Sequence, residues 1–253
     1  MKLISWNVNG IRACVKKGFL EYLETESPDI LCLQETKARP QDIEERVLNP
    51  TGYHGIWHSA QKAGYSGVAI LTKKKPIAVS EGFGFPDYDC EGRVIMAEYE
   101  EFILFSVYFP NGQRPDRLDY KLRFYTDFFN LCNEYREAGK NIIICGDYNT
   151  AHKAIDLANP KANENYSGFL PIEREWMDRI VGYGYVDTFR HFNPDPDHYT
   201  WWTYRFGART RNVGWRIDYF FVNQEFLPRV QSAFIQPHVL GSDHCPVGIT
   251  LQS

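Results

Sequence analysis

Eight short apolar runs, each closed off by Gly, Pro, Asn, Asp or a charged pair, constrain this chain most. They are LISWNV (3–8), DILCLQ (29–34), GVAILT (67–72), RVIMAEY (93–99), FILFSVY (102–108), NIIICG (141–146), IDYFFVN (217–223) and VGITLQ (247–252). Their Ile, Val, Phe and Tyr content at this length predicts strands. In DILCLQ and NIIICG the hydrophobicity is almost unbroken, and such a strand needs cover on both faces. RVIMAEY and FILFSVY, separated by Glu100 and Glu101, predict a hairpin. Helical periodicity fills the intervals. From Arg117 to Ala138 the residues Leu118, Leu122, Tyr125, Phe128, Phe129 and Cys132 fall on one stripe, and Gly139 ends it. Shorter helices are predicted over 18–26, over 40–48, and over 171–184, where Pro171 stands at a first helical position. Strands and helices interleave throughout, so the class is α/β or α+β.

The chain has 253 residues, 43% of them hydrophobic, which suits one large domain or two small ones. No linker, low-complexity segment or strict repeat interrupts it. KLISWNVNG and NIIICGDYN share one pattern, an apolar strand followed by Asn, a faint echo between the two halves. The six cysteines have no metal-binding spacing and sit mostly in apolar runs, so buried free thiols in a reducing cytosol are expected. No signal-peptide pattern opens the chain and no apolar stretch approaches a membrane span, which predicts a soluble intracellular protein. The net charge of −4 is wrong for a protein that merely coats nucleic acid. Residues 201–217, however, hold Arg205, Arg209, Arg211 and Arg216 with no acid, and local charge decides where a phosphate docks.

Chemistry-bearing residues cluster at the strand ends. Asn7 and Asn9 follow the first run, Gln34 and Glu35 the second. Tyr108 and Asn111 follow FILFSV, and Asp147 and Asn149 follow NIIICG. Asp218 opens IDYFFVN, while Asp243 and His244 precede the last run. Singly, Asn7, Asn9 or Asn149 reads first as a turn residue. Asp218 inside an apolar strand is harder to set aside, because a buried carboxylate needs a partner. Carboxylate and amide oxygens without thiolates suit a hard cation, Mg²⁺ or Mn²⁺. Glu35 is the first ligand candidate, with Asp243 or Asp147 next. Asp147 and Asn149 on one turn could activate and orient a water for in-line attack on a phosphodiester. His244, paired with Asp218, could donate to a non-bridging oxygen.

Six stretches, WNVNGIR (6–12), LQETK (33–37), YFPNG (108–112), GDYNTAH (146–152), NVGWRIDYF (212–220) and GSDHCP (241–246), closely resemble the exonuclease III family of apurinic/apyrimidinic endonucleases. The resemblance runs in order from residue 3 to about 250. It implies a single catalytic domain over 1–253, built as a four-layer α/β sandwich with two mixed sheets face to face and helices outside. It implies Mg²⁺-dependent cleavage 5′ to an abasic site in duplex DNA, leaving a 3′-hydroxyl, together with 3′→5′ exonuclease or 3′-end cleaning. Matched position by position, Glu35 looks like the principal metal ligand, with Asn7, Asn9, Asp243, Asp147, Asn149 and His244 around the ion. Asp147 would align or deprotonate the water, Asn149 orient it, Tyr108 stabilise the transition state, and Asp218 hold His244 toward the phosphate. Position 9 is Asp in some relatives, so Asn9 removes one negative charge from the metal site.

The same resemblance makes Trp201, Trp215 and Ile217 a pocket that admits a baseless sugar and excludes an intact nucleotide. Arg205 and Arg114 align with positions that insert into the opened duplex. Arg209, Asn111 and Asn163 would touch the backbone. For about half the rings of 198–217, ordinary packing explains their presence as well. The expected partner is damaged double-stranded DNA, the expected state a monomer, and the expected compartment the cytoplasm, on the nucleoid when bound to DNA. A phosphodiesterase for uracil-containing DNA or a non-DNA phosphodiester, and a DNA-binding module without catalysis, are the alternatives.

Overall fold

The structure is a computed structural model, and it describes residues 1–252. In chain order the strands are β1 (Lys2–Asn7), β2 (Ile30–Gln34), β3 (His54–His58), β4 (Val68–Thr72), β5 (Ala78–Glu81), β6 (Val94–Glu98), β7 (Ile103–Tyr108), β8 (Ile142–Asp147), β9 (Tyr185–Asp187), β10 (Asp218–Asn223), β11 (Val230–Ile235) and β12 (Val247–Leu251). The helices are α1 (Ile11–Val15), α2 (Phe19–Glu26), α3 (Glu45–Leu48), α4 (Pro86–Asp89), α5 (Pro115–Glu137), α6 (Pro160–Asn163), α7 (Pro171–Gly182) and α8 (Thr188–Phe192).

The strands form two six-stranded sheets, ordered β11-β12-β1-β2-β4-β3 and β5-β6-β7-β8-β10-β9. Each is mixed in the same way, with one parallel pair at its centre, β1/β2 or β7/β8, and antiparallel neighbours outside. Side-chain alternation explains the layers. Ile30 and Cys32 of β2 and Ile143 and Cys145 of β8 point into the core between the sheets. Leu31 and Leu33 face α1 and α2, while Ile142 and Ile144 face α5 and α7. Both faces of the central strands are therefore covered, as their unbroken apolar runs require. Each such buried side chain contributes about 1.5–3 kcal/mol of transfer free energy. The result is a four-layer α/β sandwich.

All eight predicted strands form. The four strands without an apolar run, β3, β5, β9 and β11, are the four sheet edges. The hairpin of β6 and β7 forms across Glu100 and Glu101. The predicted helix over 40–48 does not. It divides into a 3₁₀ turn at Pro40–Asp42 and the single turn of α3, because Ile43 and Glu44 are extended between them. Ile43 and Val47 both pack on the outer face of the first sheet. Five cysteines are buried, Cys90 is half-buried, and all six are free thiols. Among the described residues no helix is long and apolar enough to cross a membrane.

Candidate active site

The register of the second sheet assembles the site. Tyr108 ends β7 and pairs with Asp147 at the end of β8, and Asp147 in turn pairs with Asp218 at the start of antiparallel β10. The three side chains thus stand in one row at one end of the sheet. Gly146 makes the row possible. Its φ is 142°, and a Cβ there would lie 1.8 Å from the Val107 carbonyl oxygen, so only glycine lets β7 approach.

The first sheet supplies the facing wall. Asn7 ends β1, and its Nδ2 donates to Glu35 Oε1 and to Asp147 Oδ2, both at 2.9 Å, tying the two sheets together. The turns after β1 and β8 are built alike. Asn7 Oδ1 accepts from the Asn9 amide at 3.0 Å, and Asp147 Oδ1 accepts from the Asn149 amide at 2.8 Å. Asn9, Glu35 and Asn149 all have φ between 45° and 50°. Non-glycine residues held there cluster at functional sites.

His244 enters from the loop before β12. Its Nδ1 lies 2.8 Å from Asp218 Oδ2, which also accepts from Thr200 Oγ1 at 2.6 Å, and its Nε2 lies 3.9 Å from Asp147 Oδ2. Burial alone would push His244 down, but the carboxylates of Asp218 and then Asp147 outweigh it and raise its pKa to about 10. Held as an imidazolium, His244 has only N–H donors to offer. Burial, followed by the opposing pull of His244 and the repulsion of Asp218 and Glu35, leaves Asp147 above the ordinary carboxylate range. Burial also pushes Glu35 up, but Lys37 and Asn7 override it and hold Glu35 low. Burial and the nearby Glu35 keep the Tyr108 phenol protonated.

Glu35, Asp147 and His244 place one ligand-type atom each within 4.8 Å of one another. The donors fit a hard divalent ion. Lys37 Nζ already sits 2.7 Å from Glu35 Oε2 and 2.5 Å from Asn9 Oδ1, so a cation is drawn to this oxygen-lined position. Glu35 and Asp147 are the residues that would hold the ion. Other predicted ligands are placed differently. Asn7 turns its amide nitrogen, not its oxygen, toward the two carboxylates, because the reverse would set oxygen against oxygen. Asp243 accepts from Asn9 Nδ2 at 2.9 Å and from Trp201 Nε1 at 3.1 Å, which ties it to the cleft wall beside the Glu35–Asp147 pair. Asn149 Nδ2 donates to the Phe109 carbonyl at 2.9 Å, and its Oδ1 lies 3.4 Å from Asn111 Nδ2.

The row opens into a cleft of about 590 Å³ walled by Trp201, Trp215 and Ile217, with Asn111 and Asn163 also on its lining. Arg114 is exposed, 3.1 Å from Asp116, and borders a neighbouring concavity. Arg205 is exposed on a 3₁₀ turn outside the cleft lining, beside Phe206, which is 85% exposed. Arg209, expected to touch DNA, is bonded within the chain. Its guanidinium donates to the carbonyls of Ser242, Pro237 and Val239 at 2.9, 2.9 and 2.6 Å and lies over Trp202, so it braces the 237–242 loop. Tyr199, Trp202 and Arg216 are buried, so part of the 198–217 stretch is core.

Sequence reasoning assigned no role to Lys37, although it stands in the quoted LQETK motif. It also missed the neighbouring concavity of Lys62, Arg93, Arg114 and Arg117 around Glu91, which shares Tyr108 and Asn111 with the cleft. Those cations come from three distant segments, so no local run of charge marks them.

A family model described as the endonuclease/exonuclease/phosphatase family matches residues 4–244. An exodeoxyribonuclease of Bacillus subtilis is 47% identical, the match covering 99% of each chain. A DNA-(apurinic or apyrimidinic site) endonuclease of Dictyostelium discoideum is 46% identical over 99% of this chain and 70% of its own length. The structure of an AP endonuclease from Archaeoglobus fulgidus superposes with a TM-score of 0.91 at 28% identity, covering both chains fully.

Proposed function

This chain belongs to the endonuclease/exonuclease/phosphatase family, and on that premise we propose that it is a DNA-repair endonuclease that hydrolyses the phosphodiester 5′ to an abasic site in duplex DNA. The observation that carries the reading is the row Tyr108–Asp147–Asp218 with His244 and Glu35 at the mouth of a cleft walled by Trp201, Trp215 and Ile217. The names of its relatives, an exodeoxyribonuclease and abasic-site endonucleases, point to the same chemistry.

Asp147 would align the attacking water and take up its proton, and Asn149, whose main-chain amide holds Asp147 on the same turn, would orient it. The His244 imidazolium, held by Asp218, donates to a non-bridging phosphate oxygen, and the protonated Tyr108 phenol donates beside it. Mg²⁺, or Mn²⁺ in its place, bound at Glu35 and Asp147 would supply charge neutralisation at the phosphate. Asn7 spaces the two carboxylates, and Lys37, held by Asn9 Oδ1, balances the charge of Glu35. The tryptophan wall takes a sugar without its base, and extrusion is easiest where stacking is already lost. On this reading Asn111 and Asn163 would meet the backbone, and Arg114 would enter the opened duplex. A strand end entering the same cleft would be trimmed from its 3′ side. The enzyme acts as a monomer, one catalytic domain over residues 1–253, in the cytoplasm.

One labelled duplex set tests this: an abasic analogue, a uracil or an intact base at the same position, with Mg²⁺ or with EDTA. Rapid cutting is expected at the abasic analogue alone and only with Mg²⁺. Equal cutting at uracil or at the intact base, or cutting that survives EDTA, overturns the assignment.

A further inference from the structure

Lys121 of α5 and Glu173 of α7 are fully buried and bonded at 2.7 Å, yet neither lines the cleft. A buried ion pair is a weak stabiliser, because desolvation of both charges offsets their attraction. What the pair touches is more informative. Lys121 Nζ also donates to the main-chain carbonyl of Asn149 at 2.7 Å. Glu173 Oε2 accepts from the amides of Gly168 at 2.6 Å and Leu170 at 3.1 Å, and its Oε1 from the Ser167 hydroxyl at 3.0 Å. One partner therefore holds the turn that carries Asp147 and Asn149. The other holds the loop that carries Asn163 and backs onto Trp215.

The two walls meet at this point. Ala151 N donates to the Gly168 carbonyl at 2.8 Å. Gly168 has φ 96°, and a Cβ there would stand 3.1 Å from Trp215 and 3.3 Å from the Asn149 carbonyl oxygen. Asn149 itself has φ 49°, a conformation that persists only where surrounding bonds over-determine it. Beyond their mutual bond, Lys121 reaches only the Asn149 carbonyl, while Glu173, the third residue of α7, caps its own helix at the Leu170 amide and reaches past it to Gly168 and Ser167.

We propose that Lys121 and Glu173 are positioning residues: their ion pair sets the spacing between the Asp147–Asn149 turn and the 163–170 wall, and so the alignment of the attacking water with the bound phosphate. This rests on the hydrolytic reading above. Misplacement of reacting groups by about 1 Å costs on the order of 10²-fold in rate. The brace therefore acts on turnover far more than on affinity.

The test is the double variant Lys121→Met/Glu173→Gln. It leaves no lone buried charge, and the Gln oxygen can still accept from Gly168 and Leu170, while the Asn149 carbonyl loses its partner. Four quantities are read: kcat on the abasic duplex, duplex affinity in EDTA, hydrogen exchange by segment, and thermal unfolding. The expected result is kcat lower by about tenfold or more with affinity within about threefold, and faster exchange confined to 147–151. Should the double variant not fold, Lys121→Gln/Glu173→Gln, which likewise leaves no lone buried charge, is judged by the same criteria. A folded variant with kcat within about twofold of the parent overturns the proposal. So does exchange that rises along all of α5 and α7, with activity falling only as the folded fraction falls. A parent chain that does not cut the abasic duplex refutes the hydrolytic reading instead, and the exchange pattern then still reports on the brace.

Discussion

At the scale of single residues the site is governed by one inversion. His244 is almost wholly enclosed, a setting that discharges an imidazole, yet it stays charged because Asp218 and Asp147 face it from the neighbouring strands. The pKa is raised, so the charged pair contributes stability in full below the unfolded value of about 6.5 and loses it as pH rises through about 10. Donation to a phosphate has the same limit. Asp218→Asn removes the strongest charge that holds the proton. In this variant the His244 titration, read by NMR on the metal-free protein, is expected to move down toward neutrality, and the alkaline limb of kcat should move with it. An unchanged titration would mean that Asp147 alone holds the proton. Much of this was legible in the sequence, because carboxylate, phenol and imidazole at strand ends have few other uses together. What escaped was direction. A residue type does not say which atom of an amide faces the carboxylates, and Asn7 offers nitrogen where an oxygen ligand was expected.

At the scale of elements, legibility followed cover. Every interior strand was readable as an apolar run because it is covered by a helix layer on one face and the other sheet on the opposite face. The four edge strands were not. β5 is exposed along most of its length and carries charge and Ser, as edges do to discourage pairing with other chains. The helix expected over 40–48 failed for a related reason. Its apolar residues Ile43 and Val47 suit a helical stripe, but Ile43 and Glu44 are extended and split the stretch into two short turns, with both apolar residues still against the first sheet's outer cluster. The element that matters most for the site is the β7/β8 pair, whose register sets Tyr108 beside Asp147. Gly146→Ala would force a Cβ into the Val107 carbonyl at a φ of 142°. The expected cost is about 1–3 kcal/mol or more in denaturant unfolding. Loss of activity should exceed the loss of folded protein, because the row of side chains would splay. A fully stable and active Gly146→Ala protein would show that the two strands separate without consequence.

At the scale of the whole molecule, the two sheets repeat one plan. Each has a parallel pair at its centre, and β1 and β8 each end in the same side-chain-capped turn, at Asn7–Asn9 and at Asp147–Asn149. The echo between KLISWNVNG and NIIICGDYN is thus a structural one, and the cleft lies where the two copies face each other. Charge is distributed with equal economy. A net −4 repels a polyanion at long range, so duplex binding must come from local cations. Two concavities carry such cations. One holds Lys62, Arg93, Arg114 and Arg117 and shares Tyr108 and Asn111 with the cleft. The other holds Arg12, Lys16 and Lys37, and reaches the cleft through the Lys37–Glu35 pair. Arg93 and Arg117 are already engaged by Glu91, whereas Arg114 is exposed with only Asp116, itself exposed, beside it. A phosphate can displace that surface pair at little cost. Arg114→Gln is therefore expected to weaken duplex binding uniformly across sequences and to lower the salt dependence of log affinity by about 1. The kcat at saturating DNA should hold, since no catalytic group contacts Arg114. Titration of a labelled abasic duplex at several salt concentrations reads both quantities, and an unchanged slope would place the DNA on the Lys37 side of the cleft instead.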